Sequence, residues 1–187
     1  MGNLPVHQCV GYTDYSLRQF FGKVSRMTWF DSTLFVITAD HTGPSEFPEY
    51  QNNLGKFKIP ILYYMHGSNL KNRSSMTTQQ IDIAPSILDY LNYDNPFYSF
   101  GESVFDQKST HFAVNYFNEI YQYISNNYML CYSGQKPVSF YAYQSDSLLL
   151  SNRIGTNLRV ELQFETNLKA IIQQYNSRMI RNTLIPR

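Results

Sequence analysis

The sequence lacks the features that mark several common classes of protein. It has two cysteines in 187 residues, Cys9 and Cys131, and no C-x-x-C pair. Two cysteines are too few for a disulfide scaffold, and the missing C-x-x-C excludes a zinc ribbon or a thioredoxin-type site. The sequence is compatible with two free thiols and with one bridge. No apolar run approaches the roughly 20 residues of a membrane helix, and the chain as written starts without a signal-peptide pattern.

An excess of charge of either sign is also missing. The chain has 15 Lys and Arg against 14 Asp and Glu, for a net charge of +1. A nucleic-acid-binding protein would carry a basic field, so we expect no nucleic-acid partner. What the chain does have is apolar and aromatic: 43% hydrophobic residues and 16% aromatic residues. This composition predicts a folded protein with a real core and a substantial β content.

The first part of the sequence alternates between helical and strand patterns. Both strand patterns are continuously apolar, which is typical of strands buried on both faces in a parallel sheet covered by helices. Thr13 or Asp14 is the expected cap of the first helix. The predicted elements are a lead-in over residues 1–11, a helix over 13–27, a strand over 33–39, a long loop over 43–58, a strand over 59–65 and a helix over 80–91.

The second part reads as a small antiparallel sheet followed by a helix. Short aromatic or β-branched runs cover residues 111–117, 128–132 and 138–143, and residues 133–136 form a hairpin signal between the last two. Residues 156–182 predict a closing helix, although the alternation from Leu158 to Phe164 also fits a strand. The fold class is therefore α/β, with an α/β part over residues 1–110 and a small α+β part over residues 111–187.

The strongest candidate for chemistry is Asp40-His41, directly after the first strand. Ligands of open α/β sheets bind beyond the carboxyl ends of the strands. A carboxylate oxygen and an imidazole nitrogen on adjacent residues can turn toward one divalent cation, and this donor set suits Zn or Mn better than Ca. The alternative is structural: Asp40 caps the following loop and His41 lies in a turn.

Residues 29–43, WFDSTLFVITADHTG, contain this pair. They resemble the metal-binding segment of the sulfatase-like branch of the alkaline phosphatase superfamily, in particular the lipoteichoic acid synthase-type phosphoglycerol transferases. The helix QIDIAPSILDYL resembles the sulfatase pattern Q-x-D-[IL]-x-P-[ST]-[IL]-L. Further matches follow in order: YTDYSLRQFF at residues 12–21, KIPILYYMHG at 58–67, the hairpin region at 128–152 and the closing helix at 156–182. The resemblance implies a partial alkaline-phosphatase-like core.

The resemblance also implies roles for particular residues. An Asp-His pair at this strand end binds the catalytic divalent metal of the family, so Asp40 and His41 are the expected ligands of Mn, Zn or Ca, with Mn or Zn favoured. Lys56 or Lys58 is a candidate for holding the sulfate or phosphate group; the alternative is a solvated loop lysine. We expect His66 and His111 to have structural or surface roles, and Asp82 to belong to its helix start.

The family's nucleophile is not found in this sequence. The signature C/S-x-P-x-R does not occur, since Cys9 is followed by VGYT and Cys131 by YSGQ. The resemblance implies that the nucleophile and its neighbouring acidic ligand lie N-terminal to residue 1. Catalysis needs a nucleophile activated by the metal, so we predict little or no turnover by the chain alone. The aromatic side chains at 116, 117, 121 and 123 line a sugar or lipid path or, alternatively, pack in a core.

Two functions remain open at this point. In one, the chain is the C-terminal part of a hydrolase or of a phosphoglycerol or phosphoethanolamine transferase. Such an enzyme acts on sulfate or phosphate esters. By the resemblance, the parent protein of this chain is membrane-anchored or extracytoplasmic. In the other, the chain is a non-catalytic interaction module or a pseudoenzyme fragment. A truncated α/β domain exposes apolar faces, so self-association is expected.

Overall fold

A computed structural model of the protein describes residues 4–185 and divides into two compact units, residues 4–74 and 75–185. The first unit contains helix α1 (Val6–Val24) and strands β1 (Phe35–Thr38) and β2 (Ile61–Tyr64). The second contains the remaining elements, which are α2 (Ile83–Tyr90), β3 (Phe112–Phe117), β4 (Ile120–Ser125), β5 (Tyr128–Tyr132), β6 (Pro137–Tyr141) and α3 (Leu158–Arg181).

Helix α1 begins earlier than its apolar spacing predicts and ends earlier too. Pro5 precedes its first turn, where a missing N–H costs nothing. The expected cap at Thr13 is wrong: Thr13 lies inside the helix, and its hydroxyl donates a hydrogen bond to the Cys9 carbonyl at 3.0 Å. Residues 6–11 of the predicted lead-in are helical, and its residues 1–3 lie outside the described residues. The inner face of α1 meets the sheet through Phe21, whose ring lies 5.2 Å from that of Phe35.

The two strands of the first unit pair antiparallel, so the parallel pairing expected from their apolar composition is wrong. Phe35 lies opposite Tyr64 and Thr38 lies opposite Ile61. Each strand is four residues long and has no fully buried residue, and the side chains of Thr38 and Leu62 are exposed. The continuous apolar runs are correct as strands, but burial on both faces is wrong for this structure.

The second unit is built on a four-stranded antiparallel sheet in the order β3-β4-β5-β6. The sequence predicts three of these strands and misses β4, whose residues were assigned only to an aromatic set. Tyr123 of β4 faces Leu130 of β5, which in turn faces Phe140 of β6. These three side chains form a line across the sheet and are all fully buried. The core-packing alternative for Tyr123 is therefore correct.

Helix α3 covers this line of side chains. Phe164 and Leu168 are one helical turn apart and complete the buried cluster, with the Phe164 ring 5.0 Å from the Tyr123 ring. Asn157 caps the first turn, and Glu161 accepts hydrogen bonds from the N–H groups of Gly155 and Asn157. The strand alternative for residues 158–164 is wrong, because these caps and the burial of every fourth residue fix a helix.

Helix α2 is tied to a loop by the aspartate that precedes it. The Asp82 carboxylate is buried and accepts hydrogen bonds from the N–H groups of Gln79 and Glu102, each at 2.9 Å. Ser86 accepts a hydrogen bond from the Val104 N–H at 3.0 Å. Asp82 does begin the helix as predicted, and its contact with residue 102 is a further role that local sequence could not give.

The fold is of the predicted α/β class, with a small antiparallel sheet and a C-terminal helix. Among residues 4–185 the structure has no helix that combines the length and the apolar character needed to cross a membrane.

Candidate functional site

Asp40 and His41 leave the carboxyl end of β1 as an exposed pair. The Asp40 carboxylate uses Oδ1 to accept a hydrogen bond from the His41 backbone N–H at 2.8 Å. Its Oδ2 lies 3.5 Å from Nε2 of the His41 ring. The hydrogen bond from His41 and the nearby imidazole charge lower the pKa of Asp40 below its ordinary value of 3.8, so this carboxyl is ionised at neutral pH.

The other ring nitrogen of His41 fixes which nitrogen carries the proton. Nδ1 lies 2.9 Å from the carbonyl oxygen of Thr42. A carbonyl only accepts hydrogen bonds, so the neutral ring carries its proton on Nδ1 and leaves a lone pair on Nε2. Two electron-pair donors, Nε2 of His41 and Oδ2 of Asp40, then lie side by side. A shared cation or a proton on Nε2 relieves their repulsion.

Thr42 connects this pair to the long loop that follows it. Its backbone N–H donates to the Lys56 carbonyl at 3.1 Å, and its hydroxyl donates to the same oxygen at 2.6 Å. Gly55, just before Lys56, packs so closely that a Cβ there would lie 1.9 Å from the Glu49 carbonyl oxygen. The predicted loop over 43–58 is thus folded back on itself, with short 3-10 turns at Pro48–Tyr50 and Gly55–Phe57.

The two candidate lysines lie differently with respect to the pair. Thr42 holds the backbone of Lys56 next to the Asp40-His41 segment. The Lys58 ammonium lies 5.9 Å from the centre of the Tyr50 ring, a cation–π contact within the loop. Both lysine side chains are exposed. The structure therefore brings Lys56, Asp40 and His41 into one segment and gives Lys58 a separate contact.

A second Asp–His pair lies at the opposite end of the same sheet. Nδ1 of His66, after β2, is 2.8 Å from Oδ1 of Asp31, in the turn before β1. Because β1 and β2 are antiparallel, this end is the one remote from Asp40. The role of His66 as a surface residue is in line with its exposed ring, but its partner in the turn was not predicted. The spacing of the two residues in sequence carries no signal of this contact.

The remaining candidates from the sequence are the two cysteines and His111. Cys9 is exposed, Cys131 is buried in β5, and both are free thiols. Burial raises the pKa of the Cys131 thiol. His111 Nε2 lies 2.8 Å from the Asp106 carbonyl. Across residues 4–185, His, Cys, Asp and Glu side chains form no group of three or more that could hold a metal ion.

Comparison with known proteins agrees with part of the resemblance. Residues 6–93, just under half of the chain, match the family model described as Sulfatase. This match contains the Asp40-His41 pair, both strands of the first unit and helix α2. No curated protein matches the chain.

Solved structures share the fold at low sequence identity. A Vibrio parahaemolyticus protein of the alkaline phosphatase superfamily is 22% identical with a TM-score of 0.61, covering 88% of this chain and 41% of its own. The phosphonate monoester hydrolase of Agrobacterium radiobacter is 16% identical with a TM-score of 0.64, covering 86% and 39%. A protein solved in complex with its substrate D-glucosamine-2-N,6-O-disulfate is 14% identical with a TM-score of 0.60, covering 90% and 40%.

The chain thus spans about 40% of the length of these structures. It has a fold found in the alkaline phosphatase superfamily and carries a sulfatase-like sequence over residues 6–93.

Proposed function

We propose that this chain is the part of a sulfatase-like enzyme that supplies the Asp-His half of a divalent metal site. Asp40 and His41 are its ligands, and Mn or Zn is the favoured ion, ahead of Ca. The observation that carries the proposal is the pairing of Nε2 of His41 with Oδ2 of Asp40 at 3.5 Å, while Nδ1 is held by the Thr42 carbonyl. A carbonyl that accepts a hydrogen bond from the other ring nitrogen orients a metal-binding histidine in this way.

The separation of the two donor atoms fits ligands of one ion. Two ligands at about 2.1 Å on a tetrahedral zinc lie about 3.4 Å apart. The Asp40 carboxylate is ionised, and a neutral His41 ring that donates from Nδ1 to the Thr42 carbonyl has Nε2 available for a metal. The bound ion would supply charge stabilisation for a transferred sulfate or phosphate group. Asp40 and His41 alone make an incomplete site, which needs further ligands from another polypeptide segment.

The substrate is a sulfate or phosphate ester, and we favour a sulfate ester. Support comes from the sulfatase match and from the structural neighbour that holds a disulfated glucosamine. The phosphonate hydrolase neighbour and the lipoteichoic acid synthase-like segments support phosphorus chemistry, including phosphoglycerol transfer. We assign Lys56 to the ester group because Thr42 ties its backbone to the metal-binding segment, and we keep Lys58 as the second candidate.

The remaining parts of the proposal concern the intact enzyme. It is membrane-anchored or extracytoplasmic, its catalytic core includes residues 1–110 and its small C-terminal part is residues 111–187. The nucleophile belongs to the rest of the core. The chain alone self-associates through its exposed apolar surface and has little or no turnover.

Metal titration tests the site in the chain as it exists. We expect Mn²⁺ or Zn²⁺, followed by calorimetry or by the electron paramagnetic resonance of Mn²⁺, to bind weakly to the wild type. Loss of a group that merely orients a ligand weakens metal binding by about 10–100-fold, so Asp40→Ala and His41→Ala should weaken it at least that much. The melting temperature should not change, because both side chains are exposed.

The matched control is Asp14→Ala, which removes another exposed carboxylate, in α1, and should leave metal binding intact. Binding that survives Asp40→Ala would contradict the proposed ligand. No binding by the wild type would favour the second candidate, a non-catalytic module, which is also supported by the lack of a three-ligand group in residues 4–185. Hydrolysis of p-nitrophenyl sulfate or p-nitrophenyl phosphate by the chain alone would contradict the missing nucleophile.

A further inference from the structure

The strand end that carries the candidate metal ligands lies between two threonines that bond to the same backbone segment. The Thr38 hydroxyl donates a hydrogen bond to the Pro60 carbonyl at 3.1 Å. The Thr42 hydroxyl donates one to the Lys56 carbonyl at 2.6 Å. The two ligands are therefore bracketed by side-chain hydrogen bonds to residues 56–60, the segment that leads into β2.

Thr42 is held at its backbone as well as at its side chain. Its N–H donates to the Lys56 carbonyl at 3.1 Å, and the Gly55 carbonyl oxygen lies 3.2 Å from its hydroxyl. Its own carbonyl oxygen lies 2.9 Å from Nδ1 of the His41 ring. A β-branched side chain has few rotamers, so the bonded hydroxyl also restricts the backbone that carries it. The contacts of Thr42 with the loop thus hold the carbonyl that His41 uses.

The acceptor that Thr42 uses belongs to an ordered turn. Oδ1 of Asn52 accepts hydrogen bonds from the N–H groups of Leu54 at 3.0 Å and Gly55 at 2.8 Å. The N–H of Lys56 donates to the Asn52 carbonyl at 3.1 Å. Gly55 is buried against the backbone of Glu49 with no room for a Cβ. The Lys56 carbonyl is therefore fixed by the loop itself before Thr42 binds it.

The His41 ring has two possible acceptors for one proton. A neutral imidazole carries its proton on either Nδ1 or Nε2. On Nδ1 it is donated to the Thr42 carbonyl, and on Nε2 it would point to Oδ2 of Asp40, which lies 3.5 Å away. The second arrangement would place a proton where a shared cation would bind. The first arrangement leaves Nε2 free to bind a metal ion.

We propose that Thr42, through its hydroxyl, is a positioning residue that keeps the proton of the neutral His41 ring on Nδ1. It does so by holding its own carbonyl oxygen in place, and it contacts neither a metal ion nor a substrate. The purpose of this arrangement rests on the metal site of the proposed function. The position of the proton is a property of the metal-free chain and is measured separately.

The test removes the hydroxyl and keeps the shape of the side chain. Nitrogen-15 NMR of the metal-free full chain at about pH 8, where neutral imidazole predominates, reports which ring nitrogen carries the proton. The signals of His41 are those lost in His41→Ala. We expect the wild type to carry the proton on Nδ1 and Thr42→Val to move it toward Nε2, facing Asp40. Mn²⁺ binding, followed by electron paramagnetic resonance, should weaken about tenfold in Thr42→Val.

Two variants serve as controls. Thr42→Ser keeps the hydroxyl and should return both the proton position and the Mn²⁺ affinity to those of the wild type. Thr33→Val removes a hydroxyl that donates to the Trp29 carbonyl at 2.8 Å, at the opposite end of the small sheet, and should change neither. Trp29 is the only tryptophan, and its unchanged fluorescence would show that the unit folds in each variant.

Several results would overturn the proposal. They are a wild-type ring with its proton on Nε2, a proton that stays on Nδ1 in Thr42→Val, and a change in Thr33→Val as large as that in Thr42→Val. Failure of Thr42→Ser to restore the wild-type ring would also contradict a role of the hydroxyl.

The metal site and the role of Thr42 fail in different ways. If Asp40→Ala abolishes Mn²⁺ binding while Thr42→Val keeps the wild-type affinity and the proton on Nδ1, the metal site stands and the role of Thr42 is wrong. If the wild type binds no Mn²⁺, the metal site is wrong, and the proton position in Thr42→Val still decides whether Thr42 positions the His41 ring.

Discussion

The two units of the chain differ in how much apolar surface they bury. In residues 75–185 ten hydrophobic side chains are buried, and six of them form one cluster between the sheet and α3. In residues 4–74 the buried hydrophobic side chains are Val24 and Phe30. Around Phe35 the first unit nevertheless has five aromatic rings whose centres lie within 6.4 Å of the Phe35 ring.

The difference shows that apolar composition alone does not make a core. A buried cluster needs two layers, and the second unit has them, because a four-stranded sheet faces a 24-residue helix. The first unit has a two-stranded sheet that α1 covers only in part. The candidate metal ligands are therefore in the unit that buries fewer hydrophobic side chains.

The largest expected effect tests the core of the second unit. Leu168 has no exposed surface, so Leu168→Ala should lower the free energy of unfolding of this unit by about 2–5 kcal/mol. Leu162→Ala on the same helix is the control and should change it by less than about 0.5 kcal/mol. Urea unfolding followed by far-ultraviolet circular dichroism measures both. Equal effects of the two variants would mean that the difference in burial between Leu168 and Leu162 does not affect the free energy of unfolding.

The next effect tests local packing within the first unit. Gly55→Ala would put a Cβ 1.9 Å from the Glu49 carbonyl oxygen and 2.6 Å from the Tyr50 Cα, so the loop must shift. We expect a loss of about 1–3 kcal/mol, seen in the unfolding transition of Trp29 fluorescence, which reports this unit. Gly22→Ala is the matched control in open space inside α1 and should stabilise by about 0.5–1 kcal/mol. A neutral Gly55→Ala would contradict the folded-back loop.

The smallest of the three effects concerns the buried carboxylate of the second unit. Asp82→Ala leaves the N–H groups of Gln79 and Glu102 without their acceptor, but it also removes a group that is costly to bury. We expect a net loss of about 1–2 kcal/mol. Asp94→Ala, at an exposed position, is the control and should be neutral. Hydrogen exchange at residues 79 and 102 would locate the loss.

The same carboxylate has a pH dependence of known sign. Burial raises the pKa of Asp82 above its ordinary value of 3.8, and this outweighs the opposing hydrogen bonds from Gln79 and Glu102. The folded state then holds the proton more tightly than the unfolded state. The stabilisation from Asp82 is fully present below pH 3.8 and is lost as the pH rises through the folded pKa. As the pH rises from 3.8 through the folded pKa of Asp82, the free energy of unfolding of the wild type should therefore fall relative to that of Asp82→Asn. A rise over this range would contradict the raised pKa of Asp82.

Sequence patterns predicted the helices that have a clear apolar spacing and the strands that have a β-rich run. Apolar spacing placed α3 and the helix over 80–91, and β-rich runs placed five of the six strands. Strand β4 was missed because polar and charged residues lie close to Tyr121 and Tyr123 in the sequence. The sequence therefore does not show where this strand begins and ends. The antiparallel pairing of β1 and β2 was missed because the apolar runs carry no information about direction. Asp40 and His41 were found together because they are adjacent in sequence.

The sequence by itself determined the order of the helices and of five of the six strands, the position of the Asp40-His41 pair at a strand end and the sulfatase-like character of residues 6–93. These depend on neighbouring residues and on periodicity. Only the tertiary structure decided that His66 meets Asp31, that Thr42 holds the Lys56 carbonyl and that Asp82 joins the loop at residue 102. Such contacts join residues far apart in the chain, and the burial of one unit and exposure of the other follow from which layers meet.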